Sequence, residues 1–446
     1  MPSRAATHLK AAALLKAMAF LQAGAFFAVA ALGLWAAPAR ASGPEGPLPD
    51  HPQIRKLDGE FRDKPSVPPL WTIPVDELGF AAPGPLYLGQ RNSLVSLDFL
   101  SEDRLLFTFR VPALLHRTPG EDSSDEREIR AVVLSLPEGT LEAESHWLVH
   151  DRARYLWMTK DGHFLLRDQN TLFEGDGALH LKPLLKFPGP LLTIEMDPEQ
   201  NFLLADSREP LAASKPQPDA DPGDGSGDDS TGRVPDLVLR ILQRSTGQVL
   251  TVARVPSLIH LPMNSDGYLS PQRGTGVDWR VMLNFFTGQQ RELGTVKSDC
   301  MPQMHFVSEQ EFLVTACSDA GDDALVAMTT SGEKLWTDLV PDHFVWPNLV
   351  MSPDGTKIVR ETLYVSHGID AFSPMGNDDI KGQWVQVLDA ATGNVIFDAP
   401  ANPILDAGGN VAVSPSGQRV AVVNGNAIQV FELPAPRRAP APVSSR

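Results

Sequence analysis

Short apolar runs recur along the chain from about residue 70 to residue 433, and turn-forming residues bound each run. The runs are rich in Val, Leu, Ile and Phe, whereas amphipathic helix periodicity is hard to find between them. Short β-branched and aromatic runs separated by Gly, Pro, Asn, Asp and Ser are typical of strands joined by turns. The pattern therefore predicts an all-β domain.

One strand–turn–strand unit repeats along this domain. The segment 349–359 (LVMSPDGTKIV) resembles the segment 411–421 (VAVSPSGQRVA). Looser versions of the turn give seven in all, spaced 38 to 67 residues apart, and the other five are Ser101–Arg104, Thr159–Gly162, Asp197–Gln200, Asn264–Gly267 and Ser308–Glu311. The shorter spacings match a four-stranded propeller blade. A second turn, predicted to join the third strand to the fourth, recurs at Glu138-Gly139, Thr246-Gly247, Thr287-Gly288, Ser331-Gly332 and Thr392-Gly393.

These turns resemble those of the broad propeller superfamily that includes WD40-like, YVTN-like, TolB-like and quinoprotein-like repeats. The resemblance covers roughly residues 86–433 and is strongest in 346–400, which contains both a Ser-Pro-Asp-Gly and an Asp-x-x-Thr-Gly turn. It implies a β-propeller of about seven four-stranded blades and implies no activity. The Gly-His and Trp-Asp signatures of true WD40 arrays are absent. A six-bladed ring and a split pair of sheets are the alternatives.

The last predicted blade contains only three strands, at 410–413, 419–423 and 427–431, before the chain turns to proline. An unpaired sheet edge is a liability that proteins usually cover. We therefore expect an N-terminal strand to close the ring, with 70–73 or 86–88 as the candidate segments.

The N-terminus has the features of an export signal. Arg4, Lys10 and Lys16 precede an uncharged apolar run over 17–37, and Ala39-Arg40-Ala41 fits the small-x-small cleavage pattern. The run is also long enough to span a bilayer as an uncleaved anchor. We favour cleavage, which divides the chain into a signal peptide (1–41), a Pro/Gly-rich linker or arm (42–69), the propeller (70–433) and a disordered Pro-rich tail (434–446). The mature chain is then periplasmic or extracellular, with no membrane span.

The chain is acidic, with 38 Lys and Arg against 55 Asp and Glu. Cleavage after Ala41 removes four basic residues and no acidic ones, so the mature charge becomes 34 − 55 = −21. Such a charge argues against nucleic acid or an anionic membrane as the main partner, because both repel it.

Three insertions exceed the base repeat, at 117–128, 207–233 and 366–382, and each falls between the second and third strands of its blade. Loops at equivalent positions emerge on one face of a propeller, and an elaborated face is often the binding face. These loops and the matching loop of the cysteine blade are rich in carboxylates. The candidate binding-face residues are Glu121, Asp122, Asp125, Asp319, Asp322, Asp323, Asp370, Asp378 and Asp379.

The two cysteines, Cys300 and Cys317, are predicted to form a disulfide. An even count in an exported chain favours a bridge. The residues also lie symmetrically about the turn at Ser308-Glu309, so they should face each other across an antiparallel pair of strands. Two buried free thiols are the alternative.

No catalytic or metal motif stands out, and the sequence predicts no cofactor. His146 and His150 are too far apart along a strand to share a metal. His260, His305, His343 and His367 fall in different blades and would share a metal only if the ring brought them together. The segment 219–225 resembles a calcium loop, but it is one residue out of register and lacks the closing Glu. The tryptophans are predicted to pack between blades.

We therefore predict an exported, monomeric, non-catalytic propeller that binds a protein, a peptide or a glycan through the acidic loop face. The alternative is an exported enzyme, such as a lactonase, a lyase or a quinoprotein-like oxidoreductase, with its site at the central channel. A third hypothesis is a structural or assembly component of the cell envelope. A cluster of His, Asp and Glu with perturbed pKa values at the channel mouth would favour the enzyme.

Overall fold

The computed structural model describes residues 54–56, 61–82, 95–111, 127–150, 154–209, 236–318, 322–341, 344–367, 377–405 and 408–434. Within these ranges the chain forms strands, turns and one short 3-10 helix at Asn377–Asp379. Two strands precede the repeats, β1 (Ile54–Lys56) and β2 (Trp71–Pro74). The searched part of the chain has no helix of the length and apolarity that a bilayer crossing requires.

The first three blades are antiparallel sheets of four consecutive strands. Blade 1 contains β3 (Val95–Ser101), β4 (Arg104–Arg110), β5 (Arg127–Ser135) and β6 (Thr140–Val149). Blade 2 contains β7 (Leu156–Met158), β8 (Phe164–Asp168), β9 (Thr171–Gly175) and β10 (Leu181–Lys186). Blade 3 contains β11 (Leu191–Met196), β12 (Phe202–Arg208), β13 (Leu237–Gln243) and β14 (Gln248–Val255).

Blades 4 and 5 depart from the four-stranded rule. Blade 4 has three regular strands, β15 (Gly267–Arg273), β16 (Asp278–Phe285) and β17 (Gln290–Lys297). The segment that precedes β15, on the channel side of the blade, pairs with β15 only through a bridge between Met263 and Tyr268. Pro256 and Pro262 precede this bridge, and neither has the backbone N–H that a regular ladder requires. Blade 5 contains β18 (Gln303–Phe306), β19 (Glu311–Ala316), β20 (Asp323–Thr329) and β21 (Lys334–Val340), and β1 adds a fifth, parallel strand at its outer edge.

The last two blades complete the ring. Blade 6 contains β22 (Phe344–Met351), β23 (Lys357–Val365), β24 (Ile380–Asp389) and β25 (Val395–Ala401). Blade 7 contains β26 (Val411–Val413), β27 (Arg419–Asn424) and β28 (Ala427–Glu432), and its fourth strand is β2, which pairs antiparallel with β28. The predicted closure by an N-terminal strand is confirmed. The strand lies one residue after the predicted 70–73, and the other candidate, 86–88, lies outside the described residues.

The described residues form eight apolar clusters, and seven of them lie one between each pair of neighbouring blades. The eighth is a small cluster of Val340, Phe344 and Trp384. The cluster between blades 7 and 1 joins the two ends of the chain, because it contains Ile73 and Ala412 together with Val95 and Phe107. Seven interfaces around one axis define a seven-bladed propeller. The predicted fold is confirmed, and the six-bladed alternative is wrong.

Several glycines in both repeated turns lie close to a neighbouring blade. In the turn joining the third and fourth strands of blade 6, Gly393 has φ +68°, and a Cβ there would lie 2.5 Å from the ring of Trp336 in blade 5. The first turns repeat this relation, because a Cβ on Gly162 of blade 2 would lie 2.7 Å from the carbonyl oxygen of Leu100 in blade 1. At these positions the sequence repeat marks a close approach of one blade to the blade before it.

Cys300 and Cys317 lie at disulfide distance, with their Cα atoms 5.7 Å apart. The local register differs from the symmetric prediction by one residue, because the ladder pairs Gln303 with Thr315 and would place Cys317 opposite Met301. Cys300 lies before β18, outside the ladder. The amide of Asp299 donates to the carbonyl of Cys317 (3.0 Å), and this hydrogen bond holds the two segments together.

The closure strand should account for measurable stability. Ile73 is 3% exposed within the cluster between blades 7 and 1, whereas its neighbour Thr72 is exposed. Replacing a buried Ile by Ala removes apolar contacts and leaves a cavity, so I73A should lower the free energy of unfolding by about 2–4 kcal/mol. Guanidinium denaturation measures the change. The matched variant T72A should change stability by less than about 0.5 kcal/mol, and equal effects of the two variants would contradict the closure.

Candidate binding site in the central channel

A cavity of about 680 Å³ occupies the central channel, and all seven blades contribute to its lining. The inner strands supply its walls. The turns that join first and second strands supply its mouth, through residues such as Lys160, Glu199, Ser308, Asp354 and Pro415. Volumes of this size are typical of ligand pockets.

The mouth lies on the face opposite the long loops. Successive connections in an antiparallel blade alternate between its two ends, so the first and third connections share one face and the second connection lies on the other. The three insertions do lie between second and third strands, as predicted, since they separate β4 from β5, β12 from β13 and β23 from β24. The described cavity therefore opens away from the loops that the sequence singled out.

Four of the nine predicted binding-face residues are described, namely Asp322, Asp323, Asp378 and Asp379. None of these four lines the cavity. The Asp323 carboxylate accepts from the amide of Ser318 (2.9 Å), and Asp379 lies 3.1 Å from a ring nitrogen of His367. Glu121, Asp122, Asp125, Asp319 and Asp370 lie outside the described residues, so the acidic loop face stays a prediction.

One side of the channel contains a cluster that spans blades 3, 4 and 5. His260 Nδ1 lies 2.7 Å from Glu195 Oε1, and His260 Nε2 lies 2.7 Å from the carbonyl oxygen of Met304. The rings of His260 and His305 are 4.8 Å apart. The structure therefore brings together two of the four histidines singled out from the sequence. His367 lies elsewhere in blade 6, and His343 lies outside the described residues.

The hydrogen bonds of His260 favour its protonated form. A carboxylate and a backbone carbonyl both accept, so each ring nitrogen has an acceptor when the ring is protonated. Burial opposes this charge, but the bonds to Glu195 and Met304 outweigh it and raise the pKa of His260. Burial and the neighbouring His260 cation lower the pKa of His305 to about 4, so that ring is neutral at pH 7.

Asp206 lies behind this cluster and is fully buried on β12. Burial raises the pKa of its carboxyl to about 7, and the nearby Glu195 carboxylate adds to that shift. The register places Asp206 opposite Thr193, so Asp206 and Glu195 are diagonal neighbours on one face of blade 3. The sequence analysis had no signal for either carboxylate.

The chemistry open to the histidine cluster is limited. A general base needs a free ring nitrogen within reach of a substrate proton. His260 has none free, because both nitrogens already donate to protein acceptors. His305 is a weak base, because its pKa lies near 4. His and Glu side chains do converge at the channel, as the enzyme hypothesis requires. The hydrogen bonds of His260, however, favour a positively charged ring held in one position over a catalytic base.

The other side of the channel contains Asp98 of blade 1, Arg154 of blade 2 and Glu361 of blade 6. Ser96 Oγ donates to Asp98 Oδ2 (2.7 Å), and Arg154 Nε donates to the carbonyl of Leu156 (3.0 Å). Arg154 faces channel solvent although the blades surround it. It is therefore positioned to meet a ligand inside the ring.

The carboxyl groups of Asp98 and Glu361 have raised pKa values. Burial raises the pKa of Asp98 to about 6, although the Ser96 hydrogen bond and the Arg154 charge oppose the shift. Burial raises the pKa of Glu361 to about 8, again against the Arg154 charge. Glu361 is therefore mostly protonated at pH 7, whereas Asp98 is mostly ionised.

The described residues contain no group of three or more His, Cys, Asp and Glu side chains arranged to hold a metal ion. His146 lies against Glu128 and Glu144, whereas His150 lies against Asp168, so the two rings have separate partners, as their spacing predicted. Trp147, Trp157 and Trp384 are buried between or within blades, as predicted. Trp157 also borders the channel, and Arg154 and Arg167 lie over its ring at 5.5 and 5.9 Å from the centroid.

No protein-family model and no curated protein matches the sequence. Among solved structures, the chain is similar to an acylaminoacyl peptidase of Pyrococcus horikoshii, at 12% identity and a TM-score of 0.43 over 74% of this chain. The chain spans about half the length of that peptidase, 48%. It is also similar to the C-terminal WD40 domain of Sif2, at 12% identity and a TM-score of 0.43, with 77% of this chain and 96% of that domain covered.

A third similar structure is Sqt1 of Chaetomium thermophilum, solved with the N-terminus of a ribosomal protein. The identity is 10% and the TM-score is 0.41, with 77% of this chain and 98% of that chain covered. At these identities the likeness concerns the fold alone. The strand order of this chain and its seven inter-blade cores define the class independently: a seven-bladed β-propeller.

The two channel histidines should titrate far apart. In an NMR titration, His260 should have a pKa above its usual value of about 6.5, and His305 should titrate near 4. The variant E195Q removes the ionised acceptor, so it should lower the pKa of His260. The raised pKa of His260 stabilises the fold below pH 6.5, and this contribution is lost as the pH rises through the folded-state pKa. Equal pKa values for the two rings would contradict the assigned protonation states.

Proposed function

We propose that this chain is an exported propeller that binds a basic peptide segment at the channel mouth without converting it chemically. The observation that carries the proposal is the acidic lining of the cavity. Its cationic groups are Arg154, Lys160 and the His260 imidazolium, whereas its carboxyl groups belong to Asp98, Glu195, Asp197, Glu199, Asp354 and Glu361. The carboxyl groups outnumber the cationic groups even when Glu361 is protonated, and a concave site with a net negative charge concentrates cationic ligands.

A peptide suits this cavity better than a glycan. Sugars are commonly bound on open aromatic faces, and the tryptophan that borders the cavity, Trp157, has two guanidinium groups over its ring. The first turns that form the mouth present carboxylates instead. The Lys or Arg side chains of a peptide would pair with these carboxylates, and such binding would depend little on the burial of apolar surface.

The acidic loop face is the second candidate surface for the same function. Of its described members, Asp322, Asp378 and Asp379 lie on connections between second and third strands, and Asp323 begins the third strand of blade 5. A partner bound there would leave the channel mouth open. Charge reversal on each face separates the two surfaces, as set out below.

One observation favours the enzymatic alternative. Glu361 is a buried carboxyl group with a pKa of about 8, and such a group is able to donate a proton near neutral pH. General acid catalysis also needs a group that activates the nucleophile. Among the described residues, neither side-chain oxygen of Glu361 has a hydrogen-bond partner. We therefore place binding before catalysis.

A basic peptide should bind the protein with a salt-dependent affinity. The probe is a capped nonapeptide of alternating Arg and Gly, and its counterpart carries Glu at each Arg position. Calorimetry should detect saturable 1:1 binding of the basic peptide that weakens as salt is added, because screening reduces attraction between charges. The acidic peptide should not bind. Absence of binding by the basic peptide would overturn the proposed function.

Charge reversal assigns the surface. E199K, at the channel mouth, should weaken binding of the basic peptide by about three- to tenfold at low salt, because it replaces an attractive charge by a repulsive one. The matched variant D378K places the same change on the exposed loop face and should leave the affinity unchanged. The opposite result would move the site to the loop face.

Export is the second part of the proposed function, and it rests on the segment 1–41. Expressed from its full sequence in a bacterial host, the chain should be recovered from the periplasm with Ser42 as its first residue. Intact mass and N-terminal sequencing measure this outcome. Recovery of the full-length chain in the membrane fraction would show that the apolar run over 17–37 is retained as an anchor.

A further inference from the structure

The channel contains a set of apolar residues directly beside its mouth. The inner strands β7, β11, β18, β22 and β26 each end on an apolar residue, and Met263 takes the same place before the first turn of blade 4. All six residues line the cavity. We call this set the apolar collar, and it consists of Met158, Met196, Met263, Phe306, Met351 and Val413. Each member packs against the core between its own blade and the preceding one.

The blades do not fully cover the apolar collar. Four of its members, Met158, Met196, Phe306 and Met351, are half-buried. Because these residues line the cavity and pack between blades on their other side, their accessible surface faces the channel. Apolar surface in contact with water favours association with another apolar group. The apolar collar therefore presents surface that a ligand in the channel would cover.

Carboxylates accompany the apolar collar around the mouth. The residue three positions after the collar residue belongs to the first turn, and it is acidic in five of the six blades. These residues are Asp161, Glu199, Asp266, Glu309 and Asp354, and Ser416 takes their place in blade 7. All of the five except the half-buried Glu309 are exposed. The constant spacing places an acidic ring next to an apolar one, so a ligand that matches both has an apolar centre and basic flanks.

Methionine predominates in the apolar collar. It occupies four of the six positions, although the whole chain contains only 11 methionines. The methionine side chain is unbranched and flexible, so it adapts its shape to different apolar groups. A surface built in this way accommodates both aliphatic and aromatic side chains, and it offers no hydrogen-bonding partner to a polar one.

We propose that the apolar collar binds one bulky apolar side chain of the peptide ligand, while basic residues on either side of it pair with the carboxylates of the first turns. This inference rests on the proposed function and specifies the ligand class as a basic segment with an apolar residue at its centre. Charge pairing at the mouth alone leaves the apolar collar in contact with water. An inserted apolar side chain displaces that water and adds affinity that salt does not screen.

Three peptides of equal charge test the assignment. Each is the capped nonapeptide of alternating Arg and Gly with its central Arg replaced by Leu, Phe or Asn, so the four outer Arg residues keep the electrostatic attraction constant. We expect the Leu and Phe peptides to bind at least about tenfold more tightly than the Asn peptide, because only they gain from burial of an apolar side chain. Calorimetry measures the three affinities. Equal binding by the three peptides would overturn the inference while leaving the proposed function intact.

The variant M351Q connects the preference to the apolar collar. Gln has nearly the shape of Met but a polar end, so the advantage of the Leu and Phe peptides should fall by about threefold or more. The Asn peptide should bind as it does to the wild-type protein, which also shows that the variant is folded. The matched variant M301Q makes the same change at Met301, which is 64% exposed and does not line the cavity, and it should retain the full advantage.

Two results of these experiments would contradict different statements. An undiminished preference for Leu and Phe in M351Q would overturn the assignment to the apolar collar. Absence of binding by every basic peptide to the wild-type protein would instead overturn the proposed function itself.

The heat capacity of binding provides a test on the unmodified protein. Burial of apolar surface makes the heat-capacity change of binding negative. The Leu peptide should therefore give a more negative heat-capacity change than the Asn peptide, and the difference should persist as salt weakens the binding of both. Calorimetry over a range of temperatures measures both values. Equal heat-capacity changes for the two peptides would contradict the inference.

Discussion

The ring depends on one pairing, that of β2 with β28. Blade 7 receives three strands from the C-terminal part of the repeat region and its outer strand from Trp71–Pro74. The blade therefore contains both ends of the repeat region, and opening the ring requires loss of this four-residue ladder together with the cluster that contains Ile73. The channel exists only while the ring is closed, because its lining comes from all seven blades.

The N-terminal arm extends this closure over three blades. Strand β1 pairs with β21 at the edge of blade 5, and Phe61 stacks on Tyr364 of blade 6 at 5.4 Å. Arg62 and Ser66 then contact Asp398 in the outer strand of blade 6. The arm thus covers sheet edges that would otherwise present unpaired backbone groups.

The fold was predictable because its constraints are local and repeated. The first turns of blades 2, 6 and 7 each place a glycine against the preceding blade, as at Gly355, whose Cβ would lie 3.1 Å from the carbonyl oxygen of Val307, and this recurrence leaves a visible pattern. The segment before β15 in blade 4 left no such pattern, because its prolines lack the backbone N–H groups that a strand ladder needs. The disulfide register was misjudged by one residue because a hairpin centre is not fixed by sequence symmetry alone.

The candidate site was less predictable because the ring assembles it from distant positions. Glu195, His260 and His305 lie in three blades, and their contact depends on how far along each inner strand they fall. The sequence identified both histidines as candidates for the channel, but it gave no reason to choose Glu195 among many surface carboxylates. Glu361 was harder still to identify from the sequence, because it lies on β23, the second strand of its blade, opposite Asn348 on the inner strand.

Both sides of the channel have a buried carboxyl group without a hydrogen-bond partner among the described residues. On one side, His260 has acceptors at both ring nitrogens, but neither carboxylate oxygen of Asp206 behind it has a partner. On the other side, neither carboxylate oxygen of Glu361 has one. A buried carboxyl group without a partner costs free energy of folding, and a leucine of similar size would remove that cost. Unsatisfied polar groups of this kind concentrate at functional sites, where a ligand completes them. The described residues therefore leave one buried carboxyl group incomplete on each side, Asp206 behind the histidine cluster of blades 3 to 5 and Glu361 beside blades 1, 6 and 7.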